Sequence, residues 1–104
     1  MQYSIEIEDI EEMRRAAGID DVELHRDIRG LHVGDMVMLT FSAGPRAIES
    51  LSVRITSIRG SAFRGKLTNG PACRALSKLR IGSHVTFTAN HIHSLPRKEP
   101  PDNP

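Results

Sequence analysis

The chain has 104 residues, 38% hydrophobic and 26% charged, with one cysteine, no tryptophan and a net charge of +1. That size and balance fit a single globular domain with an aliphatic core of Ile, Leu, Val and Met. The lone Cys73 excludes an intramolecular disulfide and no apolar run reaches membrane-spanning length; with an acidic start and no signal-peptide pattern, a cytoplasmic chain without a membrane role is expected.

Charge is unevenly spread. Residues 1–30 hold nine acids against four arginines, a balance of −5, and residues 31–104 hold ten bases against four acids, a balance of +6. Such polarity marks either a basic partner-binding surface or two halves that pack together and neutralise each other.

Tyr3, Ile5 and Ile7 alternate with Ser4, Glu6 and Glu8, the pattern of a half-buried strand. Asp9, three before Glu12, predicts an N-cap and a helix over about 9–17, with Ile10, Met13 and Ala17 on one face and Gly18 ending it. Asp20, three before Glu23, repeats the device for a second helix over about 21–29, carrying Leu24 and Ile28 and followed by Gly30 and Leu31.

The remainder reads as β. Val37, Leu39 and Phe41 alternate over 35–42, and 42–46 is a loop. Leu51, Val53 and Ile55 point one way, and Ile58 breaks the period, which predicts a bulge near Thr56-Ser57. Arg59-Gly60-Ser61 is a hairpin turn into a strand of Phe63, Gly65 and Leu67. A mid-strand glycine such as Gly65 marks a sharp bend or a close backbone approach. Thr68-Asn69-Gly70-Pro71 is a turn and 72–79 a short crossover. A last strand carries Val85, Phe87 and Ala89, and Ile92 and Leu95 dock a final turn. Residues 96–104 hold four prolines, mixed charge and no apolar residue, the composition of a disordered tail after a domain spanning 1–95.

An internal echo ties the β part together. Residues 31–41, L-H-V-G-D-M-V-M-L-T-F, and 79–89, L-R-I-G-S-H-V-T-F-T-A, share Leu, Val/Ile, Gly, Val, Leu/Phe and Thr at matching positions. A glycine that turns the chain into an alternating apolar strand is a barrel-entry pattern. The expected fold is α+β: a small, strongly bent antiparallel sheet or SH3-like barrel with an N-terminal strand and two short helices.

Chemistry is sparse. His91 and His93 would share a strand face, but two imidazoles without further ligands make no metal site. The sequence lacks G-x-S-x-G, a P-loop and G-x-G-x-x-G, and no His or Asn can be tied to Cys73, so no catalytic residue, metal or cofactor is assigned. A helix-turn-helix over 13–28 fails because Asp20, Asp21, Glu23 and Asp27 would repel phosphate. The one candidate site is basic: Arg54, Arg59, Arg64 and Lys66 on two strands of one hairpin, with Arg80 nearby. Such a face can track single-stranded nucleic acid, yet every Phe falls on an inward position, so the stacking aromatics of such binders are missing.

V-R-I-T-S-I-R-G-S-A-F-R-G-K-L-T-N-G-P and K-L-R-I-G-S-H-V-T-F-T-A-N-H-I, within residues 53–92, resemble the YegJ-like family of small bacterial proteins. Phe63, Gly65, Leu67, Asn69 and Pro71 match its middle block; Leu79, Gly82, Val85, Phe87 and Ile92 match its last. The family's frequent Trp before the central strand and its acidic, aromatic end are replaced here by Leu51-Ser52 and His93-Ser94-Leu95. The resemblance, over about 31–95, implies a small β barrel in a bacterial cytosolic protein and carries no activity. The expected role is therefore a non-enzymatic binding or accessory module acting through a protein partner, with weak nucleic-acid binding as the alternative. An uncovered edge strand would also allow a homodimer.

Overall fold

Alternation of apolar and polar residues builds most of the molecule. The computed structural model describes residues 4–96, so Tyr3 and residues 97–104 of the expected tail lie outside the described residues. The elements are β1 (Glu6–Ile7), α1 (Ile10–Ala16), α2 (Val22–Arg29), β2 (Met36–Ser42), β3 (Ile48–Arg59), β4 (Ala62–Leu67), β5 (His84–Thr88) and β6 (Ile92–Ser94). One antiparallel sheet runs β1-β2-β3-β4-β5, and β6 returns to pair with β2. The sheet thus curls back on its own second strand into a nearly closed barrel, with β5 and β6 unpaired at the seam.

Period-two patterning fills the interior. Val37, Leu39, Phe41, Leu51, Val53, Ile55, Leu67 and Phe87 are at most 1% exposed. Leu76, from a 3-10 turn at Arg74–Leu76, and Ile92 of β6 complete this core. Leu24 and Ile28 of α2 join the same cluster. Burying a side chain of this size contributes about 1.5–3 kcal/mol. Phe63 and Phe87 stack inside it, ring centroids 5.3 Å apart.

The predicted bulge is present. Ile55 pairs with Gly65 but Ser57 with Arg64, so Thr56 is the extra residue. Gly65 marks the predicted close approach: a Cβ there would overlap Val53 Cγ1 and sit 2.7 Å from the Arg54 carbonyl oxygen.

The repeated segment folds twice the same way. Gly34 and Gly82 take φ of +99° and +91°. Gly34 N–H donates to Ile55 O and Gly82 N–H to Leu67 O, both at 2.8 Å. Asp35 Oδ2 accepts from His32 N–H at 2.8 Å, and Ser83 Oγ from Arg80 N–H at 2.9 Å. Each turn delivers one strand to its neighbour in the same register.

Several local expectations give way to packing. Asp9 caps α1 by accepting from Glu12 N–H at 2.9 Å, while Glu12 turns its carboxylate to Arg15. Met13 is 57% exposed and Ala17 is exposed; the inward face is Ile10 with Arg14, whose Nη2 donates to His93 O at 2.7 Å. Asp21, not Asp20, caps α2 by accepting from Leu24 N–H at 3.0 Å. β5 ends at Thr88, and Ala89 opens a 3-10 turn (Ala89–His91). Ile92 lies in a paired strand, opposite Leu39, rather than in a closing turn.

Candidate functional site

The two faces of the sheet differ in kind. On the outer face of β2–β5, Met36, Arg54, Lys66 and His84 stand opposite one another in a single cross-strand row. Ser57, Arg64 and Thr86 form the next row. The bulge then matters: without the extra Thr56, Arg59 would turn inward, but it stands opposite Ala62 on the face that bears Arg64. Arg54, Arg64, Lys66 and Arg59 therefore share one surface, and all four are exposed.

Arg80 differs. It is exposed in the turn leading into β5, beside the row's end rather than within it. His84 belongs to the row, and sequence reading omitted it. The signal was the internal echo, since His84 occupies the place that Met36 holds in the first copy.

Among the described residues the face carries no compensating carboxylate. Glu49 is the one acid in β2–β5, and it stands on the inward parity, opposite Phe41. Its carboxylate accepts from Ala72 N–H at 2.9 and 3.0 Å and from Cys73 N–H at 2.9 Å. Those two backbone donors, Ala72 foremost, hold its carboxyl below the ordinary value of 4.5. Among the described residues the ion pairs involve only Glu11, Glu12, Arg15, Asp20, His25, His32 and Asp35. None of the five basic candidates takes part. Arg54 Nη1 donates to Gly34 O at 3.1 Å, which anchors it toward the first repeat turn.

Two apolar tips flank the row. Val33, just before Gly34, is 60% exposed and Ile81, just before Gly82, is 72% exposed. They are equivalent positions of the repeat, one at the entry to β2 and one at the entry to β5. Three strand spacings separate those entries, about 14 Å along the sheet. No phenylalanine reaches this surface, since Phe41, Phe63 and Phe87 are all buried.

The other candidates come apart. His91 Nδ1 accepts from Thr88 N–H at 2.9 Å inside the 3-10 turn, while His93 lies exposed on β6 with Nδ1 3.1 Å from Ser94 Oγ. They do not share a strand face. Among the described residues no group of three His, Cys, Asp or Glu side chains could hold a metal ion. Cys73 is half-buried in an open hollow of about 500 Å³ with Ala43, Pro45, Arg46, Ala47 and Arg74; no imidazole lines it, and the neighbouring Glu49 carboxylate is engaged by the Ala72 and Cys73 N–H groups. A second hollow, about 490 Å³ between the end of α2 and the β3–β4 hairpin, is lined by Ile28, Arg29, Ile58, Phe63 and Asn90 among others, and holds no nucleophile–base pair. Among the described residues no helix is long and apolar enough to cross a membrane.

Comparison with protein-family models, with curated proteins and with solved structures gives no match for the chain.

Proposed function

We propose that the protein is a cytoplasmic, non-enzymatic binding module that docks an acidic protein segment on the outer face of β2–β5. The observation that carries this reading is the row Arg54–Lys66–His84. Arg54 and Lys66 are like charges placed directly opposite each other, which weakens a sheet, and among the described residues no acid of β2–β5 stands on their face. A costly arrangement on an exposed wall suits a surface completed by a partner of opposite charge.

Val33 and Ile81 favour a protein over a nucleic acid. Exposed aliphatic anchors beside a basic strip match a protein interface, in which apolar contacts supply affinity and charge sets orientation. A single-stranded nucleic-acid groove would instead present aromatic platforms. The strand path, with a 3-10 turn before a closing strand that pairs with the first barrel strand, supports an SH3-like topology. Membership of the YegJ-like bacterial family is part of the same proposal and rests on the motifs at Phe63–Pro71 and Leu79–Ile92.

The test is fluorescence anisotropy with three labelled probes: a glutamate-rich peptide containing aliphatic residues, a single-stranded oligonucleotide and a duplex. The reading expects the peptide to bind at low salt and to keep measurable affinity near physiological salt. Binding of the oligonucleotides alone, with affinity falling linearly in log–log salt, would transfer the face to nucleic acid.

A further inference from the structure

The two copies of the repeat differ at their far edges: among the described residues that of β2 is covered and that of β5 is open. Ile55 N–H donates to Asp35 O, and Leu67 N–H donates to Ser83 O. By the alternation of an antiparallel ladder, Asp35, Val37, Leu39 and Phe41 then bond toward β3, and Ser83, Val85 and Phe87 toward β4. Met38, Thr40 and Ser42 turn their backbone groups the other way, where β6 and β1 meet them; Glu8 N–H donates to Thr40 O at 2.8 Å. On β5 the matching groups belong to His84, Thr86 and Thr88. Thr88 N–H is taken by His91 Nδ1, but no strand lies beyond His84 and Thr86 among the described residues.

Burial reports the same asymmetry. Val37 is fully buried, whereas Val85, its counterpart in the repeat, is only half-buried. The open edge also lacks ordinary protection. β5 contains no proline, no bulge against β4 and no lysine.

We propose that the β5 edge receives an added antiparallel or parallel strand from the acidic partner segment, so that recognition occurs by strand addition; this rests on the basic-face reading above. Backbone groups of His84 and Thr86 would bond the incoming strand. Its residue beside His84 falls in line with Arg54 and Lys66, which calls for a carboxylate there. Its next residue points the other way, beside half-buried Val85, which calls for a small apolar side chain. The ligand is thus an extended segment alternating acid with Val or Ile. A second copy of the chain fits this edge poorly. Pairing β5 with β5 would join two basic walls, Arg64 and Lys66 of each copy, into one continuous sheet face.

The experiment uses the full chain and a blocked, fluorescein-labelled eight-residue peptide alternating Glu and Val. Amide hydrogen exchange by NMR should slow at least tenfold at His84 and Thr86 on binding. Thr86→Pro should weaken binding at least tenfold, with Thr86→Ala as the control that retains it, because only the backbone donor matters. Should Thr86→Pro fail to fold, the exchange measurement on the wild type decides. Peptide binding that Lys66→Glu weakens, with unchanged exchange at His84 and Thr86, would overturn strand addition and leave the basic-face reading standing. Absence of peptide binding would overturn both. Doubled mass in sedimentation, with those amides already protected in free protein, would overturn the choice of occupant in favour of a dimer.

Discussion

Arg54 and Lys66 stand directly opposite each other across β3 and β4, two like charges with no carboxylate on their face among the described residues. Repulsion of this kind costs a sheet a few tenths of a kcal/mol to about 1 kcal/mol. Lys66→Glu should therefore raise stability by about 0.2–1 kcal/mol, read as a higher urea midpoint at unchanged slope. A lower midpoint would show that the row is already neutralised and would remove the argument for a missing partner.

Gly65 should be intolerant of any side chain. Its neighbours are the Val53 side chain and the Arg54 carbonyl, and the latter is backbone that cannot swing away. Gly65→Ala is expected to cost about 1–3 kcal/mol, and Gly65→Val more, by urea denaturation. A neutral Gly65→Ala would mean that β3 and β4 can separate at this point to admit a methyl group.

The twin turns predict twin penalties. Gly34→Ala and Gly82→Ala each force an L-residue to a φ near +90° to +100°, and each should lose about 1–3 kcal/mol. Gly30→Ala is the control: Gly30 sits at φ −93° with only Asp27 O near, at 3.6 Å, and should be neutral or slightly stabilising. Unequal losses at Gly34 and Gly82 would show that the two turns are not energetic equivalents.

Glu49 gives the molecule an acid-sensitive clamp. The Ala72 and Cys73 N–H groups favour its ionised form and lower its value in the folded state. A lowered folded value means that the clamp stabilises fully above the unfolded value near 4.5 and is lost as pH falls through the folded one. Glu49→Gln should be less stable than wild type at pH 7, and the gap should close as pH drops below 4.5. A gap independent of pH would assign the effect to packing instead.

What could be read in the sequence follows the range of the interactions involved. Val37, Leu39, Leu51, Val53, Phe63 and Leu67 announce themselves by alternation, and the slip at Ile58 announces the bulge, because both are local periodicities. The choice between Asp20 and Asp21 as cap is not local. Each stands three before a plausible first-turn residue, and burial of Leu24 and Ile28 selects Asp21. β6 has three residues and a single buried one, Ile92, too short for a period to show. Met13 looked inward by spacing, yet α1 meets the barrel through Ile10 and Arg14. The basic face was legible as a set of residues and the internal echo marks His84 as the counterpart of Met36, but its alignment with Lys66 rests on the β4–β5 register. The Glu49 clamp spans 23 residues of chain to Ala72, and no sequence pattern points to it.

The basic wall is proposed to receive an acidic protein segment. The most direct test compares the affinities of wild type and Lys66→Glu for one glutamate- and valine-containing peptide near physiological salt. Binding by the variant should be at least tenfold weaker while its fold is kept, since one attraction in the row becomes a repulsion. Equal affinities for the two proteins would contradict the proposal, because the peptide would then be held elsewhere and the row would have no partner to complete.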